Sequence, residues 1–141
     1  MTADEYMEKA ARALSSARLL LADNDVEGAC NRAYYAMFDA AQGALRGSGA
    51  QVNPAETKTH SGLIGAFGRH LVKTGRLPAE LGRALNEVER VRLLADYTGD
   101  KIDHEKANWA VDQSAAFIVA IQQFTISRQS GSPPNLEAES V

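Results

Sequence analysis

The stretch "NRAYYAMFDAAQGAL", residues 31–45, sets two tyrosines side by side in an alanine-rich apolar run. Successive helical residues point about 100° apart, so Tyr34 and Tyr35 cannot share one narrow stripe. Read as a helix, the segment lines one inward face with Val26, Cys30, Ala33, Tyr34, Met37, Ala41, Ala44 and Leu45. The small alanines on that face let a neighbouring helix come close. Tyr34 is then a core residue. Tyr35 lies at the edge of the stripe, on the side of Asp39 and Gln42. There its ring either sits at the boundary with its hydroxyl in water, or, with Asp39, borders a ligand cleft or the seam with a second protomer.

Working outward, punctuation divides the chain into helical pieces. Residues 4–22 carry apolar positions at Tyr6, Ala10, Ala13, Leu14, Ala17, Leu20 and Leu21, the three-and-four spacing of one helix face. "DND" at 23–25 supplies a stop and then an N-cap, so a second helix is expected over 26–45, ended by "GSG" at 47–49. A third runs over 60–73 and is closed by Gly75, and Pro78 suits the first position of a fourth that continues to 97. Asp103 caps a fifth over 104–126. No segment alternates as a strand would, and no repeat is visible. Short links between long amphipathic helices predict an all-α, up-and-down antiparallel bundle of four main helices plus a shorter fifth helix, spanning 1–127. Residues 128–141, polar with paired prolines, read as a disordered tail.

The totals narrow the function. A chain of 141 residues with 45% apolar composition and few aromatics builds one core of closely packed helices. Its apolar runs are short and broken by charge, so no membrane span is expected, and the acidic start "MTADEYMEKAARAL" has no secretory core. The lone Cys30 permits no internal disulfide and fits a reducing cytoplasm, as a small buried hydrophobe. A net charge of −3 argues against nonspecific coating of nucleic acid. Locally the balance reverses: "KTHSGLIGAFGRHLVKTGR", 58–76, holds four Lys/Arg, two His and no acid. With Leu63, Ile64, Phe67 and Leu71 turned inward, Arg69 and Lys73 project outward, while Lys58 and His60 stand where the helix start favours an anion. These four are candidate nucleotide- or RNA-binding residues, against the alternative of a merely solvated face. Three scattered histidines and one cysteine give no metal-ligand spacing, and no glycine-rich phosphate loop or nucleophile turn is present, so neither metal nor cofactor is expected.

Three segments in order resemble the HEPN family: "GACNRAYYAMFDAAQGAL", "KTHSGLIGAFGRHLVKTGRLP" and "RVRLLADYTGD". Together with their spacing they cover about residues 5–125. The resemblance implies a helical bundle that pairs into a homodimer with a cleft near its axis. It also implies either a metal-independent endoribonuclease toxin, neutralised by a small nucleotidyltransferase partner, or a non-catalytic nucleotide-binding or interaction subunit. The family's nuclease motif is an arginine, four to six residues, then a histidine. Here Arg92 fits the arginine, but Tyr97 stands in the histidine slot, and the next histidine, His104, lies twelve positions beyond Arg92.

Metal-independent RNA cleavage needs a group to take the 2′-hydroxyl proton, one to protonate the leaving oxygen and a cation on the phosphorane. Arg92 can supply the cation as a bidentate clamp. Asp96 and Tyr97 complete the candidate catalytic set, although a phenol is a poor base near neutrality. Each has a structural alternative. Arg92 can pair with Asp96 at i,i+4 or Glu89 at i,i+3, and the Tyr97 ring can cap the core. By resemblance alone, Tyr97 is also the nearest candidate for nucleotidylation by a partner.

Overall fold

The computed structural model of the chain describes residues 1–98 and 102–129, and the side chains of all of these except 95–98 and 126–129. The element order is α1 (Ala3–Ala22), α2 (Val26–Ser48), a 3-10 turn (Glu56–Lys58), α3 (His60–Phe67) running into a π-helical turn (Gly68–Val72), α4 (Ala79–Thr98) and α5 (His104–Gln129). No strand occurs among the described residues, so the all-α expectation holds. The tail expected over 128–141 falls almost wholly outside the described residues.

The starts of the helices follow from their capping residues. Thr2 and Glu5 form a reciprocal capping box on α1. Asp25 accepts from the Gly28 amide at 2.9 Å to start α2, and Asp103 accepts from the Lys106 amide at 2.7 Å to start α5. The three-residue link between α1 and α2 folds them back on each other, and α2 also packs on α3, α4 and α5. α2 is therefore the central helix.

This centrality changes the reading of α2. A single inward stripe was expected, but Ala29, Ala36, Asp39, Ala40, Gln42 and Gly43 are buried as well. α1, α4 and α5 all pack against it, which small residues make feasible. At Gly43 a β-carbon would stand 3.0 Å from the Met7 sulfur and 3.2 Å from the Ala3 carbonyl oxygen. α2 also runs three residues past its expected end, to Ser48, and stops where Gly49 turns left-handed at φ 78°.

The third helix departs from expectation midway. Its α-helical part ends at Phe67, and the Lys73 amide donates to the Gly68 carbonyl, five residues back, at 2.8 Å. Leu63, Phe67 and Leu71 are nevertheless all fully buried. Those side chains fix α3 against the bundle and thereby fix the position of its first residue, His60.

Candidate functional site

His60 is the first residue of α3, started by the Thr59 hydroxyl accepting from the Gly62 amide at 3.0 Å. The preceding loop is tied to α2 by the Gln42 amide donating to the Thr57 carbonyl at 3.0 Å. Held in this way, the imidazole lies on the aromatic run of α2. It stacks on Tyr34 with ring centres 5.3 Å apart and planes 13° apart, and it meets Phe38 at 5.1 Å and Tyr35 edge-on at 5.6 Å.

From the other side α4 presents Glu89 and Arg92, one turn apart. Glu89 Oε2 is the common neighbour. It lies 3.4 Å from the Tyr34 hydroxyl, 3.5 Å from His60 Nδ1 and 3.8 Å from Arg92 Nη2. The Arg92 guanidinium carbon sits 4.8 Å from the Tyr34 ring centre and 5.7 Å from that of Tyr35. Arg32, on α2, approaches Tyr35 as well, at 5.6 Å.

Exposure grades outward across the cluster. Tyr34 is fully buried, the Arg92 and Glu89 side chains are 12% and 17% exposed, and the His60 side chain is 33% exposed. Burial, then the Glu89 charge, hold the Tyr34 hydroxyl far above the ordinary tyrosine range, with Arg92 opposing. Tyr34 therefore stays protonated and serves Glu89 as a donor. The arrangement joins a cation, a carboxylate and a solvent-reachable imidazole, which is a set able to bind a phosphate and move a proton.

A family model described as HEPN domain matches residues 3–123. The chain belongs to the HEPN family. A UPF0332 protein of Gloeobacter violaceus is 35% identical over 122 residues, covering 85% of this chain and 93% of the relative. A UPF0332 protein of Thermotoga maritima is 34% identical over 123 residues, covering 84% and 88% respectively. A Methanocaldococcus jannaschii protein named as a candidate toxin is 32% identical over 117 residues, covering 83% of this chain and 84% of the relative.

In this HEPN chain the residues singled out from sequence separate into two groups. Arg92, His60 and Tyr35 come together. In the basic stretch 58–76, Lys58 and Lys73 are exposed, and Arg69 forms an ion pair with Glu56. Arg76 donates to the Ser48 carbonyl at 3.0 Å and rests over Phe124. The side chains of Asp96 and Tyr97 lie outside the described residues. Among the described residues no three metal-ligating side chains gather, and no helix is long and apolar enough to cross a membrane.

Asp39, expected beside Tyr35 at a cleft edge, is only 5% exposed in the isolated chain. Its charged neighbours are Lys9 and Arg12 of α1 and Arg32 of α2. Burial raises its carboxyl above the ordinary range, and these three cations oppose that shift. A raised folded-state value means that the folded chain holds the proton more tightly than the unfolded chain. Stability from this group is therefore lost as pH rises from the unfolded value of about 3.9 through the folded one. Asp39→Asn should accordingly melt at a higher temperature than the wild type at pH 7. The difference should shrink to nothing as the pH is lowered below about 3.9, and thermal melts over that range check it. Cys30, buried beside Glu27, has its thiol pushed up to about 11, which suits an inert core sulfur.

Two members of the cluster were not read as functional from the sequence. Glu89 was noted only as an ion-pair partner for Arg92, and Tyr34 only as core. A tyrosine rather than a phenylalanine inside an alanine-lined stripe was the available signal, because a buried hydroxyl requires a partner.

Proposed function

We propose that this HEPN protein is the toxin-like member of a toxin–antitoxin or related defence module. It acts in the cytoplasm as a homodimer whose cleft binds RNA or nucleotide phosphates and cuts RNA without a metal. The observation that carries this reading is Arg92, a largely buried guanidinium steadied by Glu89 and the Tyr34 ring, both of which also contact the partly exposed His60 imidazole. A guanidinium so placed offers a phosphate a charge-assisted contact with little rotamer freedom left to lose. The name of the Methanocaldococcus relative supports the toxin-like part of the reading. A small nucleotidyltransferase is the partner expected to neutralise it, with Tyr97 the nearest candidate for modification.

The test is expression of the wild type and Arg92→Ala in cells without the partner, following growth and RNA integrity. Wild type should arrest growth and degrade RNA, and Arg92→Ala should do neither. In vitro, losing a charge-assisted contact of about 1.5–3 kcal/mol should weaken RNA binding by about 10- to 150-fold. Unimpaired growth and intact RNA with the wild type would remove the nuclease. One observation favours a second reading. Tyr97 occupies the slot of the family's motif histidine, which suits a non-catalytic subunit that binds nucleotide or RNA alongside a nucleotidyltransferase. That reading predicts Arg92-dependent binding with no cleavage.

A further inference from the structure

We infer that His60, at the start of α3, is the catalytic base of this chain, so that the imidazole absent from position 97 is supplied by a different helix. The inference rests on the ribonuclease reading above and names the residue that would move the proton.

Three observations converge on it. His60 belongs to the same cluster as Arg92, with Glu89 Oε2 within 4 Å of both. Its two ring nitrogens are unequally engaged: Nδ1 is 2.9 Å from the Tyr34 hydroxyl, whereas Nε2 is 3.4 Å from the Tyr35 hydroxyl, which is long for an O–H···N bond. One proton arrangement gives both His60 Nδ1–H and the Tyr34 hydroxyl an acceptor and leaves Nε2 facing only the distant Tyr35 hydroxyl. Nδ1–H donates to the Tyr34 oxygen, the Tyr34 O–H donates to Glu89 Oε2, and Nε2 keeps its lone pair. That relay orients the ring as a base with Nε2 as the accepting atom. Among the described residues, the titratable and charged groups around the ring are Tyr34 and Tyr35 of α2 and Glu89 and Arg92 of α4.

The substrate class that fits is single-stranded RNA with a free 2′-hydroxyl. The 2′ oxygen attacks the adjacent phosphorus, the O2′–P bond forms, and the hydroxyl proton passes to Nε2 of His60. The P–O5′ bond breaks and the leaving oxygen takes a proton from water. The hydroxide so formed recovers the proton from the imidazolium. A 2′,3′-cyclic phosphate and a 5′-hydroxyl result, with no other reactant consumed. Arg92 meets the charge that builds on the phosphorane.

The experiment uses the purified full chain on short single-stranded RNA of mixed sequence, with the matching 2′-O-methyl RNA as a binding probe. His60→Gln should slow cleavage by about 100-fold or more, a far larger loss than any change in 2′-O-methyl RNA binding, and should still melt cooperatively. The side chain is one-third exposed at a helix start, and the Tyr34 hydroxyl keeps Glu89 as its acceptor when the imidazole is removed. His60→Ala should regain cleavage when free imidazole is added, a response that a merely structural residue would not give. Wild-type cleavage by His60→Gln, with Arg92→Ala inactive, would overturn the role of His60 and leave the nuclease reading standing. No rescue of a folded His60→Ala would do the same. Absence of cleavage by the wild type itself would end both.

Discussion

Tyr34→Ala is expected to lose about 3–5 kcal/mol of stability, the range for removing a fully buried aromatic ring, whereas Tyr34→Phe should lose only about 1–2 kcal/mol. The ring is fully buried where α2, the start of α3 and α4 meet. It touches Tyr35 edge-on at 5.3 Å, Phe38 at 6.1 Å, the stacked His60 at 5.3 Å and the Arg92 guanidinium at 4.8 Å. Truncation to alanine leaves a void at that junction and removes the surface on which both His60 and Arg92 rest. Phenylalanine fills the same space and deletes only the hydroxyl, so Glu89 and His60 Nδ1 each lose one partner while the packing survives. Urea denaturation of the two variants, compared at unchanged slope, separates these contributions. Equal losses from the two substitutions would mean that the hydroxyl, not the ring, holds the junction together. For function the order differs: Tyr34→Phe should already loosen the relay to His60, so cleavage should fall even though the packing survives.

The contrast explains which parts of the molecule were legible in the chain. Helix starts were readable because capping is local: Asp25 and Asp103 sit within three residues of the amides they accept from. The α3 π-turn was not readable, since nothing local in "GRHLV" distinguishes a five-residue hydrogen bond from a four-residue one. The all-round burial of α2 was also hidden, because a 3.6-residue stripe describes one partner helix and α2 has several. At the site, Arg92, His60 and Tyr35 could each be named from residue type and position. Their meeting could not, since His60 is 26 residues from Tyr34 and Glu89 is 55. The partner of Arg69 was hidden for the same reason. An acid-free stretch looks like a cationic track until Glu56, 13 residues away and just outside it, is brought onto Arg69 by the turn at 56–58.

Gly62→Ala should destabilise the fold by about 2–3 kcal/mol and displace His60, although alanine is intrinsically the better helix former by about 1 kcal/mol. Gly62 lies in the first turn of α3, and a β-carbon there would stand 1.9 Å from the Glu56 carbonyl oxygen and 2.6 Å from the Thr59 hydroxyl oxygen. The first of these is backbone, so no rotamer change relieves it. Either the 3-10 turn at 56–58 must move or the start of α3 must. That turn carries the Thr57 carbonyl held by Gln42 and the carboxylate paired with Arg69, and Thr59 caps the helix. His60 stands between the cap and the clash. The substitution therefore acts on the imidazole through the loop, without touching Tyr34, Glu89 or Arg92. Gly68→Ala is the control on the same helical segment. Its β-carbon would meet nothing within 4 Å and its backbone is already right-handed, at φ −63° and ψ −48°. That substitution should be neutral or stabilising by up to about 1 kcal/mol. Denaturation curves test the stability difference, and an NMR titration of the His60 ring protons reports whether the imidazole has left its stack on Tyr34. Equal stability of the two alanine variants, with an unmoved His60 signal, would mean that the turn at 56–58 is free to yield and does not fix the site.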